Sequence, residues 1–242
     1  MKFETLYFET SGQLSTITLN RPDKRNAISI PMIAELQAAL DEIEKTHTRV
    51  VILTGTGKAF CAGIDLDYLQ AIGQQSAAEN QDDSRRIAKM FRKIWSYSRP
   101  MIAAVNGHAL AGGCGIATLC DFTLAVPEAK FGYTEVAIGF VPAIVSIYLE
   151  RVIGKAPAVD LLETGRIIEA HEAKALGLIH EVVSPENLEA RAREFALGAT
   201  KRSRAAVTPE ELERACVANA QARFTEKCRA GVSAFLAKRQ PR

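Results

Sequence analysis

Long hydrophobic runs are absent from this chain of 242 residues. No segment approaches the ~18 apolar residues of a membrane span, and the first ten residues, MKFETLYFET, carry Glu4 and Glu9 instead of the apolar core of a signal peptide. An excess of one charge is also missing, because the net charge is only +2. With 48% hydrophobic residues, the sequence predicts one well-filled α/β domain with a small helical appendage, in the cytoplasm and without membrane contact.

Cysteines are few, and their number is odd. The five cysteines show no paired C-x-x-C spacing, which argues against a disulfide framework and against a zinc site. We therefore expect reduced thiols and no bound metal, with Cys61, Cys114 and Cys120 packed as small buried side chains. A nucleophilic role for Cys114 is the weaker alternative, since no histidine lies at a telling position nearby in the sequence.

The most informative stretch is 101–121, MIAAVNGHALAGGCGIATLCD. Five apolar residues of strand character stop at Asn106-Gly107, and a turn of small residues then opens a helix. The N–H groups of a first helical turn have no internal partner and lie at the positive end of the helix dipole, so the backbone of 111–115 could polarise an oxygen. A phosphate-binding loop would require Lys-Ser/Thr after Gly112, where this chain has Gly113-Cys114. The pattern therefore favours an oxyanion hole.

Three motifs occur in a telling order: AFCAGIDL at 59–66, NGHALAGGCGIATLCD at 106–121 and KFGYTEVAIGFVP at 130–142. Together they closely resemble the crotonase (enoyl-CoA hydratase/isomerase) superfamily. The resemblance implies that the N–H groups of Ile64 and Gly112 hold a thioester carbonyl oxygen. It also implies a spiral of ββα units in 1–185, followed by a helical region in 186–242 that builds a homotrimer or a dimer of trimers. Coenzyme A would enter only as part of the acyl-CoA substrate, and no other cofactor is implied.

Glu135 is the candidate acid or base. Val136, Ala137, Ile138 and Phe140 flank it, and a carboxyl group in such an apolar setting has a pKa shifted toward neutrality, as acid-base catalysis requires. Judged from local sequence alone, a glutamate that caps the next turn is the competing interpretation. The resemblance favours catalysis, because Glu135 matches one of the two catalytic glutamates of crotonase hydratases.

Gly115 occupies the position of the second glutamate in those hydratases, so an ordinary straight-chain hydratase is in question. Superfamily members with one glutamate include 3,2-enoyl-CoA isomerases and hydratases that resemble methylglutaconyl-CoA hydratase. The stretch 140–146, FVPAIVS, lacks the glycine-rich run of the standard hydratases. This difference favours the second group, with the isomerase as the alternative.

The loop 20–27, NRPDKRNA, is polar and positively charged. On its own it would be read as a solvated connection. The resemblance implies that it lines the nucleotide end of coenzyme A, with Lys24 or Arg25 pairing with phosphates and Ala27 beside the adenine. The first motif adds three further residues around the cofactor moiety: Ala62, Asp65 and Leu66.

The C-terminal run 232–241, VSAFLAKRQP, resembles the ending of the family. The resemblance implies that Phe235 and Lys238 approach the coenzyme A of a neighbouring subunit. We further predict that a helix begins at Thr208-Pro209-Glu210-Glu211 and that Gly231 interrupts the last helix. The region 200–208 is shorter than in typical relatives.

Elsewhere the periodicity predicts a hairpin from 3–9 and 14–19, a central strand at 50–53 and a mobile polar segment at 70–83. The strand at 121–126 is expected to turn at 127–128 and return through 130–132. Two helices have clear apolar faces, which are Ile33, Leu36, Leu40 and Ile43 in the first and Ile87, Met90, Phe91, Ile94 and Trp95 in the second. The second helix is basic on its other side. A surface helix that covers the acyl pocket is favoured there over a membrane or nucleic-acid site.

Two functions of another class stay open. A silent acyl-CoA-binding protein would be consistent with Gly115, although the retained Glu135 argues against it. An RNA-binding protein could use 201–204, KRSR, but that run lacks interleaved aromatic residues and is more typical of a solvated face. His171 and His180 lie far from the motifs and are read as ordinary residues.

Overall fold

A six-stranded sheet is the first layer of the computed structural model, which describes residues 2–237. Its strands, in spatial order, are β1 (Leu6–Ser11), β2 (Leu14–Leu19), β3 (Val50–Gly55), β5 (Met101–Val105), β7 (Phe122–Ala125) and β10 (Glu181–Val182). β1 and β2 are antiparallel and confirm the hairpin, although its first strand starts only at Leu6. The other neighbours are parallel. The run 50–53 is buried throughout, as predicted for a central strand.

A second, four-stranded sheet lies alongside the first. It contains β4 (Ala59–Cys61), β6 (His108–Leu110), β8 (Lys130–Gly132) and β9 (Ile168–Glu169), in that order. Three times the chain runs through a strand of the first sheet, turns a corner and enters the second sheet, in the pairs β3–β4, β5–β6 and β7–β8. Helices separate these pairs, so the predicted α/β fold with a spiral of ββα units is confirmed.

The prediction that 130–132 returns along 121–126 was wrong. Both edges of β7 are occupied, by β5 on one side and β10 on the other, so no edge is left for β8. β8 instead pairs with β6 in the second sheet, with Phe131 opposite Ala109. The corners are tight: a Cβ on Gly107, between β5 and β6, would lie 2.2 Å from the carbonyl oxygen of Lys58.

Ten helices within residues 2–237 surround the sheets. Their bounds are α1 (Ile30–Glu44), α2 (Leu66–Ile72), α3 (Ala77–Trp95), α4 (Gly112–Leu119), α5 (Ala143–Ile153), α6 (Lys155–Thr164), α7 (Ala170–Ala175), α8 (Leu188–Gly198), α9 (Pro209–Ala222) and α10 (Glu226–Ala237). The predicted apolar faces of α1 and α3 are buried. None of these helices is long and apolar enough to cross a membrane.

The segment 70–83, predicted as a mobile loop, is mostly helical. α2 ends at Ile72, and α3 begins at Ala77 behind a capping box in which Ser76 and Glu79 bond each other's backbone N–H groups. The polar composition of 70–83 favoured a loop and outweighed the capping box in the sequence-based prediction. The buried polar residues of the first turns of α3 face protein and not water, as described below.

The C-terminal helices pack back on the rest of the chain. α9 lies against α3 and α5, and it starts at the predicted Thr208 cap. α10 runs through Gly231 without the predicted interruption. Gly231 allows α10 to lie close to the backbone of Ile138, because a Cβ at Gly231 would lie 2.3 Å from the carbonyl oxygen of Ile138.

The basic run 201–204 is tied to the fold at both its ends by Lys201 and Arg204, while Arg202 and Ser203 are exposed. Lys201 Nζ lies 2.9 Å from Oδ2 of Asp121, a fully buried carboxylate, and Arg204 Nη2 lies 3.4 Å from its Oδ1. The guanidinium of Arg204 also stacks on Trp95, 4.3 Å from the ring centre, and donates to the carbonyl oxygen of Leu119. These contacts fix the helix-free segment between α8 and α9. They leave little of the run to bind RNA.

We predict that Arg204→Met lowers the free energy of unfolding by ~3 kcal/mol, because it leaves a buried carboxylate short of one of its two cations. Denaturant unfolding would measure this loss. Arg193→Met is the matched control: Arg193 pairs with Glu9 and Glu189 on the surface, where such pairs contribute less than ~1 kcal/mol. Equal losses in the two variants would contradict the structural role of Arg204.

His180, read from the sequence as an ordinary residue, has a structural role in the fold. Its Nδ1 accepts a hydrogen bond of 3.1 Å from the N–H of Thr123, and its ring meets Phe122 edge to face. Burial beside Arg202 and Arg204 lowers the pKa of His180. The residue helps to hold the strand β7 and has no place near the candidate site.

Candidate active site

A cavity of about 510 Å³ lies between the sheet corners and the helices α3, α5, α9 and α10. Ten of the residues singled out in the sequence line this one cavity: Lys24, Arg25, Ala27, Ala62, Ile64, Asp65, Leu66, Gly112, Glu135 and Phe235. Lys238 lies outside the described residues. Motifs separated by up to two hundred residues therefore converge on one space.

Phe235 lies at the cavity of its own chain. The resemblance implied a neighbouring subunit's site instead. The difference arises because α10 packs on the 3₁₀ turn Thr134–Ile138 of the same chain, which carries Phe235 to this cavity.

The backbone around Ile64 is free to bind an oxygen. A single parallel bridge joins Ile28 and Ile64, and it uses the carbonyl of Gly63 and the N–H of Asp65. In such a bridge the intervening N–H, that of Ile64, faces away from Ile28. It is therefore available on the cavity side.

Gly112 brings the second N–H to the same place. It opens α4, whose first N–H groups have no partner within the helix. A Cβ on Gly112 would lie 3.8 Å from Ile64 Cγ1 and 3.9 Å from Gly63 Cα, and a Cβ on Gly63 would lie 3.3 Å from Gly112 N. The two loops are thus in direct contact, as an oxyanion hole built from both N–H groups would require.

Ala111 shows how tightly this turn is held. Its backbone has φ 50° and ψ −129°, a conformation that is costly for a residue with a Cβ. A hydrogen bond of 2.7 Å from its N–H to the carbonyl of Gly132 helps to hold it there. Next to it, a Cβ on Gly113 would lie 2.2 Å from the carbonyl oxygen of Cys61. The start of α4 therefore sits directly on β4.

Glu135 lies on the 3₁₀ turn Thr134–Ile138, after β8. The residue as a whole is partly exposed, but its Oε2 is covered and has no hydrogen-bond partner within residues 2–237. Burial raises the pKa of this carboxyl group to about 7, from an ordinary 4.5. It does not cap the next helix, since α5 begins at Ala143 after Pro142, with no side-chain cap. Such a group can take up and return a proton near neutral pH.

Gly115 faces apolar side chains. A Cβ there would lie 3.0 Å from Val145 Cγ2 and 3.1 Å from Phe91 Cε2. A glutamate at this position would have to displace both side chains. The surroundings of Gly115 therefore offer hydrocarbon and no room for a second carboxylate.

The loop 20–27 is a built structure and not a solvated connection. Asn26 is fully buried and donates to the carbonyls of Thr56 and Ala59, at 2.9 and 2.8 Å. Arg21, which the sequence did not single out, pairs with Asp65 at 2.8 Å and donates to the carbonyl of Ala27. Asp65 also accepts from the N–H of Asp67 at the start of α2. Its role in this structure is thus to join the loop to α2.

Lys24 forms an exposed pair of 2.9 Å with Asp67 at the mouth of the cavity. Exposed pairs are weak, so the ammonium group can exchange Asp67 for an incoming phosphate.

Sequence reasoning missed two polar residues that line the cavity, Asn219 and Arg223. A basic residue at the end of an amphipathic helix is usually solvated, and only the packing of α9 on α3 places it inside. The apolar lining residues Ile87 and Phe91, in contrast, lie on the face of α3 that was expected to cover an acyl pocket.

The alternatives to a carboxyl-based site find no support here. Burial raises the pKa of the Cys114 thiol to about 12, which makes it a poor nucleophile. Within residues 2–237 no group of three or more His, Cys, Asp or Glu side chains could hold a metal ion.

Comparisons with known proteins agree with this geometry. The family model described as enoyl-CoA hydratase/isomerase matches residues 9–242. A Thermus thermophilus protein, provisionally named an enoyl-CoA hydratase, is 43% identical over 246 aligned residues, which cover 96% of this chain and 97% of that protein. The crotonyl-CoA hydratase of Syntrophomonas wolfei is 36% identical and covers 81% of this chain and 75% of its own length.

Solved structures share the fold. An enoyl-CoA hydratase from Mycobacterium smegmatis superposes with a TM-score of 0.83 at 25% identity, covering 98% of this chain and 89% of that one. An enoyl-CoA hydratase/isomerase from Pseudoalteromonas atlantica gives a TM-score of 0.81 at 26% identity, with 99% of both chains covered. The motifs, the cavity they share and these similarities together establish that the chain belongs to the enoyl-CoA hydratase/isomerase (crotonase) family.

Proposed function

We propose that the protein adds water to 2-enoyl-CoA thioesters, a reaction of fatty acid metabolism, with Glu135 as its only acid-base group. One observation carries the proposal: Glu135, whose buried Oε2 has no hydrogen-bond partner in the described chain, lines the same cavity as Ile64 and Gly112. Relatives named as hydratases support this direction of chemistry.

The steps balance with one glutamate. Glu135, as carboxylate, takes a proton from water while the water oxygen bonds to C3 of the enoyl group. The electron pair of the C2=C3 double bond moves toward the thioester, and its oxygen becomes negatively charged between the N–H groups of Ile64 and Gly112. Glu135 then returns the proton to C2, which restores the thioester carbonyl and leaves a 3-hydroxyacyl-CoA.

A 3,2-enoyl-CoA isomerase is the second candidate. The apolar contacts of Phe91 and Val145 at Gly115 favour chemistry with a single base. An isomerase needs only that: Glu135 would remove a proton from C2 of a 3-enoyl-CoA and return it to C4, through the same oxyanion.

The rest of the substrate fits the mouth of the cavity. Lys24 and Arg25 would meet phosphates of the coenzyme A moiety, and Ala27, Ala62 and Leu66 would contact its neutral parts. No cofactor beyond this moiety enters the proposed reaction. We further propose assembly into trimers, or dimers of trimers, in the cytoplasm; the molar mass in solution tests the assembly.

A panel of acyl-CoA substrates with product identification tests the reaction. It contains straight-chain 2-enoyl-, 3-enoyl-, methylglutaconyl- and 3-hydroxyacyl-CoA. We expect 3-hydroxyacyl-CoA from 2-enoyl substrates, in reversible equilibrium. Formation of 2-enoyl-CoA from 3-enoyl-CoA, with no hydration, would establish the isomerase instead. Binding without any turnover would indicate a silent acyl-CoA-binding protein.

The raised pKa of Glu135 predicts the pH dependence of hydration. Because the group is about half ionised at pH 7 in the folded protein, kcat/KM should fall about tenfold for each pH unit below ~6 and level off above ~8. Rates from pH 5 to pH 9 measure this profile. A flat profile across that range would contradict proton transfer by this carboxyl group.

A further inference from the structure

Besides Lys24, Arg25, Asp65 and Glu135, members of a buried polar cluster line the cavity. Its members that line the cavity are Arg223, 4% exposed, and Asn219, 5% exposed. Arg223 Nη1 lies 2.8 Å from Oδ2 of Asp83, which is 1% exposed. A guanidinium at this depth is costly to bury unless it is paired, and the proposed catalytic steps do not use it.

The acceptor groups of the cluster are more fully engaged than its donor groups. Asp83 Oδ1 accepts from Tyr68 Oη and Arg86 Nη1, while Asp83 Oδ2 forms an ion pair with Arg223 Nη1 and no hydrogen bond within residues 2–237. Asn219 Oδ1 accepts from Ser84 Oγ at 2.9 Å and from Arg223 Nη2 at 3.4 Å. Asn80 Oδ1 accepts from Arg223 Nη1 at 3.2 Å, so the amide oxygens of the cluster are engaged by hydrogen bonds and Asp83 Oδ2 by the ion pair.

The donors, in contrast, are in excess. Arg223 Nε is buried and has no acceptor within residues 2–237. Because Asn219 Oδ1 is already occupied, the end of this side chain left for a ligand is its Nδ2 group, which only donates. One carboxylate, Asp83, faces two guanidinium groups, of which that of Arg86 is half exposed. A cavity end with spare donors and spare positive charge suits an anion.

The cluster lies at a distance along α3 that the far end of an acyl group could reach. Phe91 contacts Gly115 and lines the same cavity as Glu135. Ile87 lines the cavity one turn earlier on α3, and Ser84 and Asp83 follow on the preceding turn. At 1.5 Å per residue, the cluster begins ~10 Å along α3 from Phe91. An acyl chain that enters between Glu135 and Phe91 and follows α3 would reach Arg223 and Asn219 with its far end.

We infer that Arg223 and Asn219 select acyl-CoA substrates whose acyl group ends in a carboxylate. This inference rests on the proposed acyl-CoA function and specifies its substrate class. The terminal carboxylate accepts from Arg223 and from Asn219 Nδ2, while Asp83 and Tyr68 keep the guanidinium in place. Phe140, whose ring centre lies 6.0 Å from the guanidinium, covers it from another side.

Binding of saturated acyl-CoA tests this selection without any need for turnover. Calorimetry would compare matched pairs of five to eight acyl carbons, one member ending in a methyl group and the other in a carboxylate. A hydrogen-bonded charge contributes about 10- to 100-fold in affinity. At the best-fitting length, we therefore expect the carboxylate-ended ligand to bind at least ~10-fold tighter.

The variant combines Arg223→Met with Asp83→Asn, because removal of the arginine alone would leave a buried carboxylate unpaired. We expect it to lose the preference, so that the ratio of the two dissociation constants falls to about 1. The matched control is Arg85→Met with Glu213→Gln, which removes an exposed pair between the same two helices at 2.6 Å and should keep the wild-type ratio. Thermal unfolding confirms that each variant is folded.

The inference is overturned if the wild-type protein binds the methyl-ended ligand as tightly at every length, or if the double variant keeps the preference. Failure of the proposed reaction is a separate result. It would appear as lack of turnover in the substrate panel, whatever the binding ratio.

Discussion

Glu135→Gln is expected to lower kcat for hydration by ~10²-fold or more, while acyl-CoA binding stays nearly intact. The amide has almost the size of the carboxyl group but cannot take a proton from water or return it to C2. No acid at position 115 can replace it, because Phe91 and Val145 fill the space at Gly115. Steady-state rates with a 2-enoyl-CoA, together with the affinity for a saturated acyl-CoA, measure both quantities.

Protein stability provides the control. In the folded protein the pKa of Glu135 is raised above its unfolded value, from 4.5 to about 7, so ionisation costs the wild type stability as the pH rises through this window. The glutamine side chain does not ionise, so the variant does not lose this stability as the pH rises. It should therefore unfold at a higher temperature than the wild type at pH 8, and the gap should narrow at pH 5. A folded Gln variant with wild-type rates would remove Glu135 from the mechanism.

Gly112→Val should reduce turnover by ~10²–10³-fold on every substrate, the usual cost of one lost oxyanion donor, or ~3–4 kcal/mol of transition-state stabilisation. A Cβ on Gly112 would lie 3.2 Å from Ile28 Cδ1, which can move, but it would also point toward Ile64 and Gly63. The two γ-carbons of valine would then occupy the space in which the two N–H groups converge. Turnover with several acyl-CoA substrates, and circular dichroism for folding, check this result.

Two variants serve as comparisons for Gly112→Val. Ile64→Ala should keep most of the activity, because the donor is the backbone N–H and not the side chain. Gly198→Val adds the same side chain at the end of α8, where a Cβ would meet nothing within 4 Å, and should be fully active. If Gly112→Val retains activity, the oxygen is held elsewhere and the proposed role of the central turn must be given up.

The parts of this site that the sequence predicted are those encoded in contiguous residues. The strand, glycine turn and helix of 101–121 could be read locally, because small residues at Gly112 and Gly113 have few other uses. Glu135 could be identified because its apolar neighbours in the sequence indicate a buried carboxyl group. The capping box at Thr208 likewise fixed the start of α9 within one residue.

What could not be predicted depends on which distant elements meet. The polar residues Asn80 and Asp83 looked like part of a solvated loop, and Arg223 like an exposed helix end, until the packing of α3 on α9 enclosed all three. In the same way, β8 joined the second sheet because the edges of β7 were already taken. Such competition between partners leaves no trace in a local pattern.

Close packing at Gly139 and Gly231 joins α10 to the catalytic turn, so the turn gains its support only after α10 has been synthesised. A Cβ on Gly139 would lie 2.7 Å from the backbone carbon of Lys227, just as one on Gly231 would meet Ile138, so the turn that carries Glu135 is held from behind by the last helix of the described chain. During synthesis, this helix leaves the ribosome about ninety residues after the turn it supports, which is several seconds at ~5–20 residues per second. A nascent chain thus has its glutamate long before it has the backing that positions it, and it should become active only after α10 has left the ribosome and packed on the turn.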